Sequence, residues 1–279
     1  MSLSVNTNIT SMTAQNSLAK TQMALSTSFA RLSSGLRINS AADDAGGLGV
    51  AKSMNAQVRS YAVAERNTND AISMLQTADG GAEQIDGLLT RMRELAVQSA
   101  NGSYSSSDRV NIEAEFKQNQ DEISRIASSV QFNGKNLLSG TVATTTFQVG
   151  IGTATSDQIG VSFGGADANT LAVSSAGGAS IDVLSTTGAL SSITAIDSAL
   201  QTLSAQRANF GAGINRFQST VENLQSMETN TSASLSRIED TDVAKETAAL
   251  SRNQVLSQAG AAILAQANQT PQLAMSLLR

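Results

Sequence analysis

Apolar residues recur at alternating steps of three and four along most of the chain, and this spacing predicts long amphipathic helices. The longest series runs from Ile193 to Ile238, where eleven of its fourteen positions are apolar. An apolar repeat of about 3.5 residues is typical of helices in coiled-coil-like bundles. We therefore expect one long helix over this stretch.

The same spacing predicts four further helical segments. They run from Leu18 to Leu36, from about Tyr61 to Ser99, from Ile112 to Val130, and from Leu256 to Leu277. Proline occurs once, at Pro271, and this scarcity suits long helices. Both ends of the chain are thus expected to be helical.

A different composition separates these helices between about residues 139 and 188. Small and hydroxyl-bearing residues dominate there, and three short runs, TTTFQVGI, QIGVSF and SIDVL, have the character of strands. The expected fold class is therefore mainly α, a long antiparallel helical hairpin or coiled-coil bundle with a small β-hairpin insert.

The composition excludes several classes of function. The 279 residues contain no cysteine and no histidine, so disulfides, thiolate or imidazole metal sites, and Ser-His or Cys-His nucleophiles are impossible. The net charge of −5 gives no indication of nucleic-acid binding. No run of about 18 apolar residues predicts a membrane span. We expect no enzyme activity, no cofactor, no metal, no nucleic-acid partner and no membrane insertion.

Both ends of the chain are nearly uncharged. Residues 1–30 carry only Lys20, and residues 247–279 carry only Arg252 and Arg279. Because both ends are helical by pattern and alike in composition, the simplest expectation pairs them with each other. The amino-terminal residues contain no basic leader or apolar block, so composition alone predicts a cytoplasmic protein without a secretory signal peptide.

A glycine-rich stretch, SSGLRINSAADDAGGLGVAKS, follows the first predicted helix. Its G-x-G-x-x-K-S spacing at residues 47–53 suggests a phosphate loop, but the full motif is missing and a helix precedes it where a strand is required. A connector is the favoured interpretation, in which glycines let the backbone turn and aspartates accept turn and cap hydrogen bonds rather than bind metal. The expected connector residues are Gly35, Asp43, Asp44, Gly46, Gly47 and Gly49.

Three segments of the chain closely resemble bacterial flagellin. VNTNITSMTAQNSLAKTQMALSTSFARLSSGLRINSAADDAGGLGVA resembles its amino-terminal region, and QRANFGAGINRFQSTVENL and RIEDTDVAKETAALSRNQVLSQAGAAILAQANQTPQLAMSLLR resemble its carboxy-terminal region. The resemblance covers roughly residues 1–140 and 190–279. The insert between them is short, so the chain resembles a short form of the family that lacks the large outer domains.

This resemblance implies a structural subunit of the bacterial flagellar filament, which self-assembles into a helical tube for motility. It implies inner-tube terminal helices at 1–44 and 236–279, a helical bundle domain at 45–140 and 189–235, and a small β-rich outer insert at 141–188. It also implies a secreted protein of the extracellular flagellum, which replaces the cytoplasmic expectation.

The resemblance implies partners as well. They are identical subunits in a homopolymer, a flagellar export chaperone, the type III export apparatus, the filament cap and the animal Toll-like receptor 5. The segment TRMRELAVQSANG is an ordinary bundle helix by its pattern, and it also resembles the segment that this receptor recognises. The positions implied for recognition are Arg91, Leu95 and Glu115.

Apolar residues along the terminal helices are expected to hold subunits together. A single helix pair buries few apolar side chains against an ordering cost of about 1–2 kcal/mol per residue, so we expect the ends to be poorly ordered in the free monomer. The expected assembly residues are Leu18, Leu25, Phe29, Leu32, Leu36, Leu256, Ile263, Leu273 and Leu277.

Two alternatives stay open at the level of the sequence. A hook–filament junction protein of the same family would share both terminal regions but would not polymerise alone. A secreted helical scaffold would show similar apolar repeats without the paired terminal motifs.

Overall fold

A computed structural model describes residues 7–140, 144–174 and 181–276, with side chains described as far as residue 269. Its helices are α1 (Ile9–Ser34), α2 (Ala45–Ala100), α3 (Ser106–Ser129), α4 (Thr186–Glu239) and α5 (Val243–Ser276). Its strands are β1 (Gln131–Phe132), β2 (Lys135–Asn136), β3 (Thr144–Gln148) and β4 (Gln158–Ser162). The predicted fold class is confirmed. Among the described residues, no helix is long and apolar enough to cross a bilayer.

Helix α4 is the long helix that the apolar spacing predicts. Five of its apolar side chains recur every seventh residue and are buried, namely Ile196, Leu203, Phe210, Phe217 and Leu224. Seven residues make about two turns of α-helix, so these side chains share one face. The heptad pattern therefore fixes which side of α4 faces the core.

The chain divides into two compact units. One, which we call the bundle unit, comprises Arg59–Glu228, and the other, the terminal unit, comprises Met1–Val58 together with Thr229–Arg279. The long helices α2 and α4 contribute residues to both units.

In the bundle unit, α2 packs antiparallel to both α3 and α4. Arg93 of α2 pairs with Asp197 of α4 at 2.7 Å, and further along the same two helices Asp79 pairs with Arg207 at 2.8 Å. The three helices enclose a core of fully buried leucine, isoleucine, methionine and phenylalanine side chains. The residues of this core all lie within the bundle unit.

Two small hairpins pack against this bundle. Strands β3 and β4 pair antiparallel, which confirms the strands predicted from TTTFQVGI and QIGVSF. The ring of Phe147 meets that of Phe217 edge to face at 5.6 Å, which joins β3 to α4. Strands β1 and β2 form a second hairpin around Asn133 and Gly134, whose φ angles of 48° and 77° suit a two-residue turn.

The prediction of a third strand from SIDVL is wrong for residues 181–184, while Ser180 lies outside the described residues. Residues 181–184 have irregular backbone whose polar groups bond to side chains of the bundle. The buried Glu113 carboxylate accepts the N–H of Val183 at 2.8 Å, and the Ser99 hydroxyl donates to the carbonyl of the same residue. Because these side chains satisfy the backbone, the segment needs no strand partner.

Replacing Phe116 with alanine should lower the free energy of unfolding of the bundle unit by about 3–5 kcal/mol, because it leaves a cavity in the core. Phe116 is 0% exposed, whereas Val110 on the same helix is 56% exposed. Val110→Ala should therefore change stability by no more than about 0.5 kcal/mol. Urea unfolding followed by circular dichroism measures both variants, and equal losses would contradict this placement of the core.

Candidate functional site

In the terminal unit, α1 and α5 pack against each other as an antiparallel pair. Near one end of the pair, the Asn8 amide donates to the carbonyl of Ala267 at 2.8 Å. Near the other end, the Arg31 guanidinium lies 3.9 Å from the Glu246 carboxylate. The two terminal helices are therefore paired, as their shared composition predicts.

Small and polar side chains make up most of the face of α5 that meets α1. A Cβ added to Gly260 would lie 3.4 Å from Cδ1 of Leu18, so the two helices approach closely at this glycine. The half-buried positions of α5 are Glu246, Ala249, Leu250, Asn253, Ser257, Gly260, Leu264 and Ala267. A face of this kind buries little apolar area, and the pair gains little from the hydrophobic effect.

Large apolar side chains on both terminal helices point instead toward solvent. Their exposure ranges from 51% to 69%, and we call them the apolar terminal surface: Ile9, Met12, Met23, Phe29, Val243, Val255, Leu256 and Ile263. Among the described side chains of α1 and α5, no large apolar residue is buried. Extended apolar exposure in a folded protein marks a surface that another molecule covers.

The structure divides the predicted assembly residues into two groups. The half-buried group lies on α1 or directly after it and consists of Leu18, Leu25, Leu32 and Leu36. The exposed group belongs to the apolar terminal surface and consists of Phe29, Leu256 and Ile263. The side chain of Leu273 and the whole of Leu277 lie outside the described residues. The predicted assembly residues of α5 thus mark its outer face, while the face toward α1 combines small and polar residues with Leu250 and Leu264.

A groove of about 380 Å³ runs along this surface. Ile9, Thr13 and Ser17 line it from α1, and Gly260 and Ile263 line it from α5. No charged side chain lines the groove, so its chemistry suits an apolar side chain rather than an ion.

The connector begins where α1 ends. Gly35 has a φ of 73°, the left-handed conformation that ends many helices, and its N–H donates to the Arg31 carbonyl at 2.8 Å. The N–H of Arg37 then donates to the Glu239 carbonyl at 2.6 Å, and that of Thr241 donates to the Gly35 carbonyl at 2.9 Å. Backbone hydrogen bonds therefore tie the connector to the segment that leads into α5.

Asp43 and Asp44 serve as hydrogen-bond acceptors, in the role that the sequence predicts. The Asp43 carboxylate accepts the hydroxyl and the N–H of Ser40, both at 2.9 Å, and the N–H of Asn39. These bonds, chiefly that from the Ser40 hydroxyl, hold the pKa of Asp43 below its usual value. The Asp44 carboxylate accepts the N–H of Gly47 at 2.8 Å and so caps the start of α2.

Gly46, Gly47 and Gly49 lie within the first turns of α2, so the turn of the connector ends before them. The spacing that suggests a phosphate loop is therefore helical. A Cβ on Gly47 would lie 2.4 Å from Oδ2 of Asp44 and 2.7 Å from Cδ1 of Ile38, so a larger residue there would require these two side chains to shift. A Cβ on Gly49 would meet nothing within 4 Å.

The three positions implied for receptor recognition lie close together in the bundle unit. The Arg91 guanidinium pairs with Glu94 at 2.9 Å and with Glu115 of α3 at 2.8 Å. Hydrogen bonds to these two carboxylates, Glu94 first, raise the pKa of Arg91 above its usual value. Arg91 and Glu115 are exposed, whereas Leu95 is 2% exposed and packs in the core.

Both terminal regions of the chain match models of known protein families. Residues 5–143 match the model of the bacterial flagellin N-terminal helical region, and residues 193–278 match that of the bacterial flagellin C-terminal helical region. Flagellin D of Vibrio cholerae serotype O1 is 36% identical over an alignment 376 positions long, gaps included, that covers 100% of both chains.

Another similar protein and a similar solved structure are flagellar proteins as well. The flagellar filament core protein flaB2 of Brachyspira hyodysenteriae is 41% identical over an alignment 285 positions long, gaps included, that covers 99% of each chain. The crystal structure of Bacillus cereus flagellin matches with a TM-score of 0.50 and 32% identity, over 61% of this chain and 94% of that chain. Since both terminal regions match in order and the relatives cover the chain almost completely, the chain belongs to the bacterial flagellin family.

Proposed function

We propose that the apolar terminal surface is the contact through which this flagellin joins identical copies of itself. The chain is a structural subunit of the bacterial flagellar filament and not an enzyme. It belongs to the extracellular flagellum, which serves motility. The observation that carries the proposal is that α1 and α5 expose eight large apolar side chains and, among their described residues, bury none.

An identical copy is the partner whose chemistry fits this surface. In a repeated array the same side chain recurs at every contact, and an unpaired charge between subunits would be costly each time. Apart from Arg31, Lys245 and Glu246 in the turns next to the connector, the described parts of α1 and α5 carry only Lys20 and Arg252 as charged residues. Two different faces joined head to tail generate an open helical polymer rather than a closed ring.

The proposal assigns residues 1–44 and 236–279 to the inner tube, 45–140 and 189–235 to the surrounding helical bundle, and 141–188 to a small outer insert. Support comes from the difference in burial between the two units. The bundle unit buries many large apolar side chains within a single copy, whereas the described part of the α1–α5 pair buries none. The bundle would therefore be stable in a free subunit, and the inner tube would depend on neighbours.

Before assembly, the same apolar side chains are exposed to solvent unless another protein binds to them. We assign this role on α5 to a flagellar export chaperone, for which Val255, Leu256 and Ile263 offer exposed apolar contacts. The chaperone would deliver the subunit to the type III export apparatus, and the filament cap would direct its folding onto the growing end. The support for these partners is membership of the family.

Recognition by Toll-like receptor 5 is proposed at Arg91 and Glu115, whose side chains are exposed and paired across α2 and α3. Leu95 would contribute by holding α2 in the bundle, since it is 2% exposed. If neighbouring subunits cover this face in the filament, the receptor would recognise only free subunits.

Replacing both Leu256 and Ile263 with serine should abolish filament growth, because each apolar side chain contributes about 1.5–3 kcal/mol when it is covered. Purified monomer is added to filament seeds, and elongation is followed by electron microscopy. Leu184→Ser is the control, since Leu184 is also exposed, at 45%, but lies in the bundle unit. Normal elongation by the double variant would contradict the proposal.

In dilute monomer, the terminal helices should be less ordered than in the filament, because one helix pair alone offsets little of its ordering cost. Circular dichroism should show a gain of helix on polymerisation. Trypsin should cut after Lys20 and Arg252 in the monomer and spare both sites in the filament. Terminal helices that are fully formed and protease-resistant in the monomer would contradict this prediction.

Replacing Arg91 with alanine should weaken receptor signalling by free subunits roughly tenfold or more, because a charge-assisted hydrogen bond is worth about 1.5–3 kcal/mol. A cell reporter assay with monomeric protein measures the effect. Arg93→Ala is the matched control, since Arg93 is an exposed arginine on the same helix that pairs with Asp197. Unchanged potency of the Arg91 variant, or equal loss in both variants, would reject recognition at Arg91.

A further inference from the structure

Methionine is the only sulfur-containing residue in this chain, which has eight methionines and no cysteine. Two of them, Met12 and Met23, belong to the apolar terminal surface and are 56% and 64% exposed. They are separated by eleven residues, roughly three turns of α-helix, and therefore lie on the same face of α1.

The other described methionines have different surroundings. Met74 and Met92 are 3% and 0% exposed in the core of the bundle unit. Met54 is half-buried in α2. Met227 is 42% exposed on α4 but belongs to the bundle unit. Because oxidation of methionine follows solvent access, Met12 and Met23 are the described methionines of the apolar terminal surface that an oxidant reaches.

We propose that Met12 and Met23 are oxidation sites through which peroxides control assembly of the subunit. The inference rests on the proposed function, since it acts on the same surface. In the step itself, the thioether sulfur attacks one oxygen of hydrogen peroxide and the O–O bond breaks. An S–O bond forms and water leaves, so that the sulfur is oxidised by two electrons and the peroxide is reduced by two.

The sulfoxide changes the chemistry of the surface. It converts a flexible apolar side chain into a polar one with a strong hydrogen-bond acceptor. Burying that acceptor between subunits without a donor costs free energy, whereas burying the thioether is favourable. Free subunits are open to the reaction, and a neighbouring copy that covers α1 protects the two sulfurs. Oxidation therefore blocks new growth and spares filaments already formed.

Two leucine substitutions test this proposal. Leucine is close to methionine in size, remains apolar and cannot form a sulfoxide, so the growth of variant M12L/M23L after peroxide treatment is compared with its own growth before treatment. Each monomer is treated with hydrogen peroxide, freed of the oxidant and added to filament seeds. Oxidised wild-type protein should elongate at least about tenfold more slowly, because loss of one covered apolar contact weakens association by that order. Oxidised M12L/M23L should elongate at its untreated rate.

M227L is the matched control, because it removes an exposed methionine from the bundle unit and should stay as sensitive as the wild type. Enzymatic reduction of the sulfoxides by methionine sulfoxide reductases should restore elongation of the oxidised wild type. Peptide mass spectrometry should show that Met12 and Met23 are oxidised more slowly in filaments than in monomers.

Three outcomes would overturn the inference. The first is that peroxide slows the growth of M12L/M23L as much as that of the wild type. The second is that wild-type protein with sulfoxide at both Met12 and Met23 grows normally. The third is that these two methionines are oxidised at equal rates in monomer and filament. Failure of untreated wild-type protein to elongate would overturn the proposed function and this inference together, so the two failures are distinguishable.

Discussion

The close contact between α1 and α5, made by small and polar side chains together with a few half-buried leucines, is the constraint that decides which side chains of the terminal helices stay exposed. Because Ser257, Gly260 and their neighbours bring the helices close together, leucines such as Leu18 and Leu264 are only partly covered inside the pair, and eight large apolar residues lie outside it. They lie at the surface, with Ile9 69% exposed and Val255 64% exposed. A helix pair that leaves eight large apolar side chains exposed is suited to packing against further copies rather than to standing alone.

The bundle unit, by contrast, buries its large apolar side chains within a single copy. There the heptad of α4 places Phe210 and Phe217 against α2 and the β3–β4 hairpin, and the core closes within one copy. Buried polar side chains such as Glu113 hold the irregular insert in place through its backbone. The chain thus combines a unit that completes its own core with a unit that leaves apolar surface uncovered.

Much of this architecture could be predicted from the sequence, and each incorrect prediction has a physical reason. The heptad of α4 was readable because its apolar side chains face a core. The same spacing in α5 could not reveal that Leu256 and Ile263 face outward, because the inward stripe mixes Leu250 and Leu264 with small and polar residues and gives no stronger apolar signal than the outer face. The SIDVL segment was misassigned because its backbone partners come from side chains distant in sequence. The β1–β2 hairpin did have a signal, the Asn133–Gly134 dipeptide.

The most direct test of the central claim is the chemical accessibility of the apolar terminal surface in the two states of the protein. Since the chain has no cysteine, a single Ile263→Cys substitution supplies a unique thiol at a side chain that is 59% exposed in the single copy. The rate of its reaction with a maleimide is measured in monomers and in filaments elongated from wild-type seeds. The account predicts rapid labelling in the monomer and strong protection in the filament. Equal labelling rates in the two states would contradict it.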